Sequence, residues 1–218
     1  MGRMIGSSSI SFDKPPFIIE GASIVGQKEG DGPLGKLFDV VEQDPMLGQE
    51  TWEEAESLLQ KEAIQKLLFK AGMSKEEIRY IFGGDLLGQL IATTFGILEF
   101  EVPFFGLYGA CSTMGEALSL GAVMVEAGNA DNVIAMASSH FASAERQFRF
   151  PLAYGNQRPY AATWTVTGCG AVIISTKKGF AKITGITTGK IVDFGVKDAQ
   201  NMGACMAPAA ADVIYQPF

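Results

Sequence analysis

The sequence predicts an α/β layered fold built on a mixed, mainly parallel sheet. Three observations carry this. Short apolar runs at residues 17–22, 80–83, 103–108 and 132–137 read as strands and alternate with helical segments. One of those segments, residues 114–127, is apolar nearly all round, with Glu116 and Glu126 its only charges. Such a helix needs cover on both sides. Finally, 218 residues, 47% hydrophobic and 19% charged, suffice for a thick core.

Residues 1–11 are small and polar, and a frayed start is expected there. Residues 17–22 (FIIEGA) form the first expected strand. The glycine-rich run at 26–35 (GQKEGDGPLG) matches neither a P-loop nor GxGxxG and reads as a cluster of turns. Residues 51–71 follow as an amphipathic helix. Thr51 and Glu54 have capping-box spacing, and Trp52, Ala55, Leu58, Leu59, Ala63, Leu67 and Phe69 supply much of its apolar side. Gly72 is placed to stop it. Ser74 and Glu77 repeat the capping box for a short second helix.

The strand at 80–83 leads to Asp85, at the carboxyl end of a parallel strand, where open α/β sheets hold ligands. Asp85 equally suits an N-cap for a helix over 86–98. Residues 103–108 read as a buried strand, followed by a tight turn of small residues: Gly109, Ala110, Cys111, Ser112 and Thr113. Cys111 then sits near the N-terminus of the apolar helix, where backbone N–H groups and the helix dipole favour negative charge. A cysteine so placed can act as a thiolate, or the same spot can hold a carboxylate. It equally suits a small core residue. The strand at 132–137 ends in Ser138, Ser139 and the sole histidine, His140. Residues 144–159 (AERQFRFPLAYGNQRP) read as a long polar and aromatic loop of the kind that carries function. Residues 163–175 and 181–187 read as an antiparallel pair turning at Lys177, Lys178 and Gly179.

The net charge of −7 argues against nucleic acid and anionic membranes as general partners. No apolar run reaches the length of a membrane span, and the N-terminal residues lack the apolar stretch of a signal peptide. Three cysteines far apart suit a reducing compartment without a disulfide framework. One histidine and no CxxC give no zinc site.

The stretch YGACSTMGEALSLGAVMVEAGNADNVIAMASS resembles the nucleophile region of the thiolase and β-ketoacyl synthase superfamily, and TGCGAVIIS resembles its later Gly-Ala-Val strand. More specifically, the segments GDLLGQ, FGLYGACST, SSHFASAERQFRFPLAYG, WTVTGCGAV and MGACMAPAAAD resemble the stage V sporulation protein AD family along nearly the whole chain. The resemblance implies a thiolase-like αβαβα architecture made of two similar halves. This chain is expected to hold the N-terminal half over residues 1–190. A linker and the opening helix of the second half, truncated, would occupy 191–218.

The resemblance further implies a non-enzymatic protein that binds dipicolinic acid (pyridine-2,6-dicarboxylate), with calcium as a companion of the ligand and no cofactor of its own. The superfamily's catalytic His and Asn partners come from the C-terminal half, and His140 does not match them. The implied partners are the SpoVA membrane proteins that move dipicolinate during sporulation and germination. A second copy of the chain is also implied, paired through the strand at residues 103–107. The implied location is the spore inner membrane, attached peripherally. A flat dianion calls for basic forks, N–H donors and an aromatic wall. The expected ligand-binding residues are Cys111, Ser112, Asp85, His140, Arg146 and Arg149, with Arg158 as a further fork and Phe148, Phe150, Tyr154 and Tyr160 as wall. No metal site is expected. For each arginine alone, and for His140, an ordinary structural role is the simpler reading. Two other functions stay open: an acyltransferase using Cys111, and an assembly subunit without a ligand.

Overall fold

The structure is a computed structural model that describes residues 2–148, 164–197 and 201–215. In chain order its strands are β1 (Arg3–Ile5), β2 (Ser9–Ser11), β3 (Phe17–Gly26), β4 (Val40–Glu42), β5 (Tyr80–Gly84), β6 (Phe104–Gly106), β7 (Asn132–Ser139), β8 (Gly168–Ser175), β9 (Ala181–Lys182) and β10 (Gly185–Thr187). The helices are α1 (Gln27–Gly30), α2 (Trp52–Ala71), α3 (Ile91–Gly96), α4 (Thr113–Glu126), α5 (Phe141–Phe148) and α6 (Met202–Tyr215).

The main sheet runs β4-β3-β8-β7-β5-β6, with β9 on β3. β3–β4, β5–β6 and β5–β7 are parallel. β8 inserts antiparallel between β3 and β7, which gives the sheet a larger antiparallel share than the sequence suggests.

Successive residues of a strand face opposite sides of the sheet. Ile81, Ile134 and Ile173 pack on one face with Leu59, Ala63, Ile64 and Leu67 of α2. Their neighbours Phe82, Val133, Ala135 and Ile174 pack on the other face with Ala117 and Val125 of α4. At Gly121 of α4 an added Cβ would press on Ile174 and Val133, so the glycine sets how closely helix and sheet approach.

The start and stop of α2 follow the sequence. Thr51 Oγ1 accepts from the Glu54 N–H at 3.2 Å, and Glu54 Oε2 accepts from the Thr51 N–H at 3.0 Å. Gly72 ends the helix with φ 63°. The second capping box, Ser74 with Glu77, is also formed. Phe69 departs from expectation and is exposed, because it lies about 200° around the helix from Leu67.

Other departures concern pairing. Residues 1–11 are not frayed: β1 and β2 form a hairpin that β10 extends, with Ile10 opposite both Met4 and Ile186. β8 and β9 do not form a hairpin pair, since both bind β3. The expected helix over 86–98 is broken, with Gln89 and Leu90 at positive φ before the six residues of α3. The strand at 103–108 shortens to β6, an edge strand with Phe105 45% exposed. α5 takes the beginning of the expected long loop, and residues 149–163 lie outside the described residues.

α4 is covered on one side by this sheet. Thr113, Ala117, Gly121, Ala122 and Val125 are buried, whereas Leu120 is 43% exposed.

Candidate functional site

The turn that presents Cys111 is formed by its sequence. After β6 the chain makes a 3₁₀ turn at Ala110–Ser112, with Ala110 at φ 50°, and enters α4 at Thr113. A non-glycine residue held in the left-handed region marks a sharp, over-determined bend. The Gly109 N–H donates to Thr113 Oγ1 at 3.2 Å, and the Ser112 hydroxyl donates to the Gly109 carbonyl at 2.8 Å and also contacts the Glu116 carboxylate. A Cβ at Gly109 would meet the side-chain ends of Ser112 and Glu116, which would have to shift. Cys111 itself is exposed.

Cys111 lines a cavity of about 510 Å³ at the carboxyl ends of β5 and β7. Its walls include Ser23, Phe38, Leu86, Met114, Ser138, Trp164 and Val166. No charged side chain lines it among the described residues. Trp164 is fixed by an aromatic stack: Trp52 packs on His140 and Phe141, His140 on Phe141, and Phe141 on Trp164 at 5.0 Å. Lys28 Nζ lies 3.6 Å over the Trp164 ring.

The other expected site residues are placed differently. Asp85 is buried, and its carboxylate accepts from the Leu87 N–H at 2.7 Å, the Thr93 N–H at 2.7 Å and the Thr93 hydroxyl at 2.5 Å. It organises the turn between β5 and α3. His140 is fully buried. Its Nε2 pairs with the Pro45 carbonyl at 2.8 Å, and its Nδ1 accepts from the Ala142 N–H at 3.2 Å. That pattern places the ring proton on Nε2. Burial pushes the His140 pKa down, against the upward pull of the Pro45 carbonyl. Arg146 pairs with Glu53 across α5 and α2, away from the cavity walls. Arg149, Arg158, Phe150, Tyr154 and Tyr160 lie outside the described residues, and the side chain of Phe148 does too.

Beneath the cavity lies a carboxylate that sequence reasoning missed. Glu56, fully buried in α2, accepts from the Ser138 hydroxyl at 2.8 Å and the Ser143 hydroxyl at 2.7 Å. Burial pushes its pKa up to about 7, the two hydroxyls pull it down, and the charge of Asp85 raises it. A sequence signal existed: Glu56 and Gln60 are polar residues on the stripe of Leu59, Ala63 and Leu67. Among the described residues no cluster of three or more His, Cys, Asp or Glu is placed to hold a metal ion.

Residues 6–218 match the stage V sporulation protein AD (SpoVAD) family. The chain belongs to that family. Stage V sporulation protein AD of Bacillus subtilis (strain 168) is 42% identical over 216 residues, which is 99% of this chain and 64% of that protein. The chain therefore spans less than two thirds of that relative's length. Among solved structures, ChlB3, an acyltransferase, is similar with a TM-score of 0.52 at 18% identity, over 77% of this chain and 52% of the other. The 3-oxoacyl-[acyl-carrier-protein] synthase III of Aquifex aeolicus VF5 gives a TM-score of 0.49 at 17% identity, over 73% and 53%. The chain has a thiolase-like fold, and likeness to ChlB3 at this identity speaks to fold alone. Family membership supports a role in sporulation. Among the described residues no helix is long and apolar enough to cross a membrane.

Proposed function

We propose that this chain carries the ligand-binding face of a non-enzymatic dipicolinate-binding protein. In this reading it works in the SpoVA machinery at the spore inner membrane, attached peripherally, as a homodimer. The observation that carries the reading is the cavity at Cys111. It is walled by Trp164 and Phe38. Its volume and aromatic walls suit a flat heteroaromatic ring. In this reading Cys111 touches the ligand, and Lys28 beside Trp164 together with Arg149 offers charge to its carboxylates. Ser112, Asp85, His140 and Arg146 hold the surrounding turns and helices rather than the ligand. Calcium belongs to the ligand in this reading and not to a metal site of the protein. The edge strand β6, bound on one side to β5, is the surface this reading gives to the second copy.

The test is calorimetric titration of dipicolinate, with and without calcium, into the chain and its Cys111→Ala variant, alongside an acyl-thioester transfer assay. Saturable heat that the variant weakens, with no acyl transfer, is the expected result. Acylation of Cys111 would overturn the reading in favour of an enzyme.

A further inference from the structure

A chain of buried polar groups runs under the cavity and has no part in the Cys111 turn. Asp85 accepts from the Thr93 hydroxyl, and Gln60 Nε2 donates to both Thr93 Oγ1 at 3.1 Å and Ser138 Oγ at 2.6 Å. Ser138 in turn donates to Glu56 Oε1, and Ser143 to Glu56 Oε2. Every member is more than nine-tenths buried. Gln60 Oε1 has no hydrogen-bond partner there. Ser138 is the member that also lines the cavity.

The charged end of this network is Glu56, whose partners are hydroxyls and not a cation. Asp85 and Cys169 of β8 are electrostatically coupled to Glu56, and His140 and Glu145 of α5 are also buried. The charge of Asp85 opposes the ionisation of Glu56. Burial, helped by the charge of Glu56, drives the Cys169 thiol strongly upward. His140 is kept neutral by burial, and Arg146 is engaged by Glu53. A negative ligand arriving in this cavity, whose described walls carry no charged side chain, would meet an ionised Glu56 across one serine. Both hydroxyls have an alternative if Glu56 takes a proton. Ser143 lies 3.2 Å from the His140 carbonyl and can donate there. Ser138, then accepting from Glu56, has its own hydrogen to give.

We propose that an anionic carboxylate enters this cavity together with one proton, drawn from solvent and held by Glu56, and that Ser138 is the hydroxyl that joins the two. The inference rests on the binding reading above. With Glu56 ionised, the Ser138 hydrogen is committed to it. With Glu56 protonated on Oε1, that proton is donated to Ser138 Oγ and the Ser138 hydrogen is donated to the ligand. Ligand and proton together leave the net charge of the buried region lower by one unit for dipicolinate and unchanged for a monocarboxylate. Glu56 is a positioning residue, and Ser138 the contact.

The experiment is titration of dipicolinate into the chain from pH 6 to 8.5, in phosphate and in Tris, whose ionisation heats differ. The buffer dependence counts protons without any variant. About one proton taken up per ligand at pH 8 is expected, with affinity falling about tenfold per pH unit above the Glu56 transition. Glu56→Gln, which always offers Ser138 an N–H, is expected to bind with a flat pH profile and no proton uptake. Saturable binding without proton uptake overturns the coupling and leaves the binding reading in place. No binding at any pH overturns both.

Discussion

Glu56 and His140 are buried titratable side chains whose effects on stability run in opposite directions with pH. A buried carboxyl whose folded pKa is raised keeps its proton in the folded state after the unfolded chain has lost it. Stability therefore falls as pH rises from the ordinary carboxylate range toward about 7 and is level above that. His140, with its folded pKa lowered, contributes in the other sense: its stability is present above the ordinary histidine range and is lost as pH falls below it. Glu56→Gln removes the first dependence and leaves the second, so comparison with the unaltered chain isolates Glu56. The variant is expected to gain on the order of 3 kcal/mol relative to the unaltered chain between pH 4.5 and 7.5, read from urea midpoints. A difference that does not change with pH would contradict the buried, cation-free environment. At this scale the sequence offered Cys111 at a helix start, and the structure puts it on a cavity wall. His140, Asp85 and Arg146 were visible as chemistry-bearing residues, but their partners Pro45, Thr93 and Glu53 come from other parts of the chain and no local pattern shows such pairings.

The elements were legible where the signal is local. The reciprocal bonds of Thr51 and Glu54 and the left-handed Gly72 were readable as spacing, and α2 runs between them. Thr51→Ala is expected to cost about 1 kcal/mol in a urea melt. The apolar runs of β3, β5 and β7 were equally plain. What stayed hidden depends on distant partners. β1 and β2 are polar and short, and they exist because β10, nearly 180 residues on, supplies Ile186 beside Ile10. β8 and β9 read as a hairpin because a turn joins them, yet β3 offers each a better edge. Close backbone approach gives a second prediction. A Cβ at Gly84 would overlap the Leu107 carbonyl between β5 and β6, whereas one at Gly115 in α4 would meet nothing within 4 Å. Gly84→Ala is expected to lose about 3 kcal/mol, and Gly115→Ala to be neutral or stabilising by up to about 1 kcal/mol. Equal effects of the two would contradict the described packing.

For the whole molecule, the fold class and thiolase-like likeness were readable, but the shape of the cavity was not. Its walls come from Ser23, Phe38, Leu86, Cys111, Ser138 and Trp164, which only the finished sheet assembles. The apolar helix calls for cover on both sides, more than this chain supplies, and in the structure it is covered on one, with Leu120, Phe105 and Tyr108 left at the surface. Together with the edge of β6 they form an apolar face suited to another copy or to further chain. Sedimentation is expected to show a dimer, which Phe105→Asp weakens at least tenfold. A monomeric unaltered chain would contradict the homodimer.

The central claim is that the Cys111 cavity takes dipicolinate, and the chain contains its own control for a direct measurement. Cys111 and Cys205 are exposed, whereas Cys169 is buried. Alkylation by iodoacetamide, followed by mass spectrometry of each cysteine's peptide, reports both exposed thiols in one sample. The account predicts that dipicolinate slows alkylation of Cys111 saturably and leaves Cys205 unchanged. Equal alkylation rates at Cys111 with and without dipicolinate would contradict it.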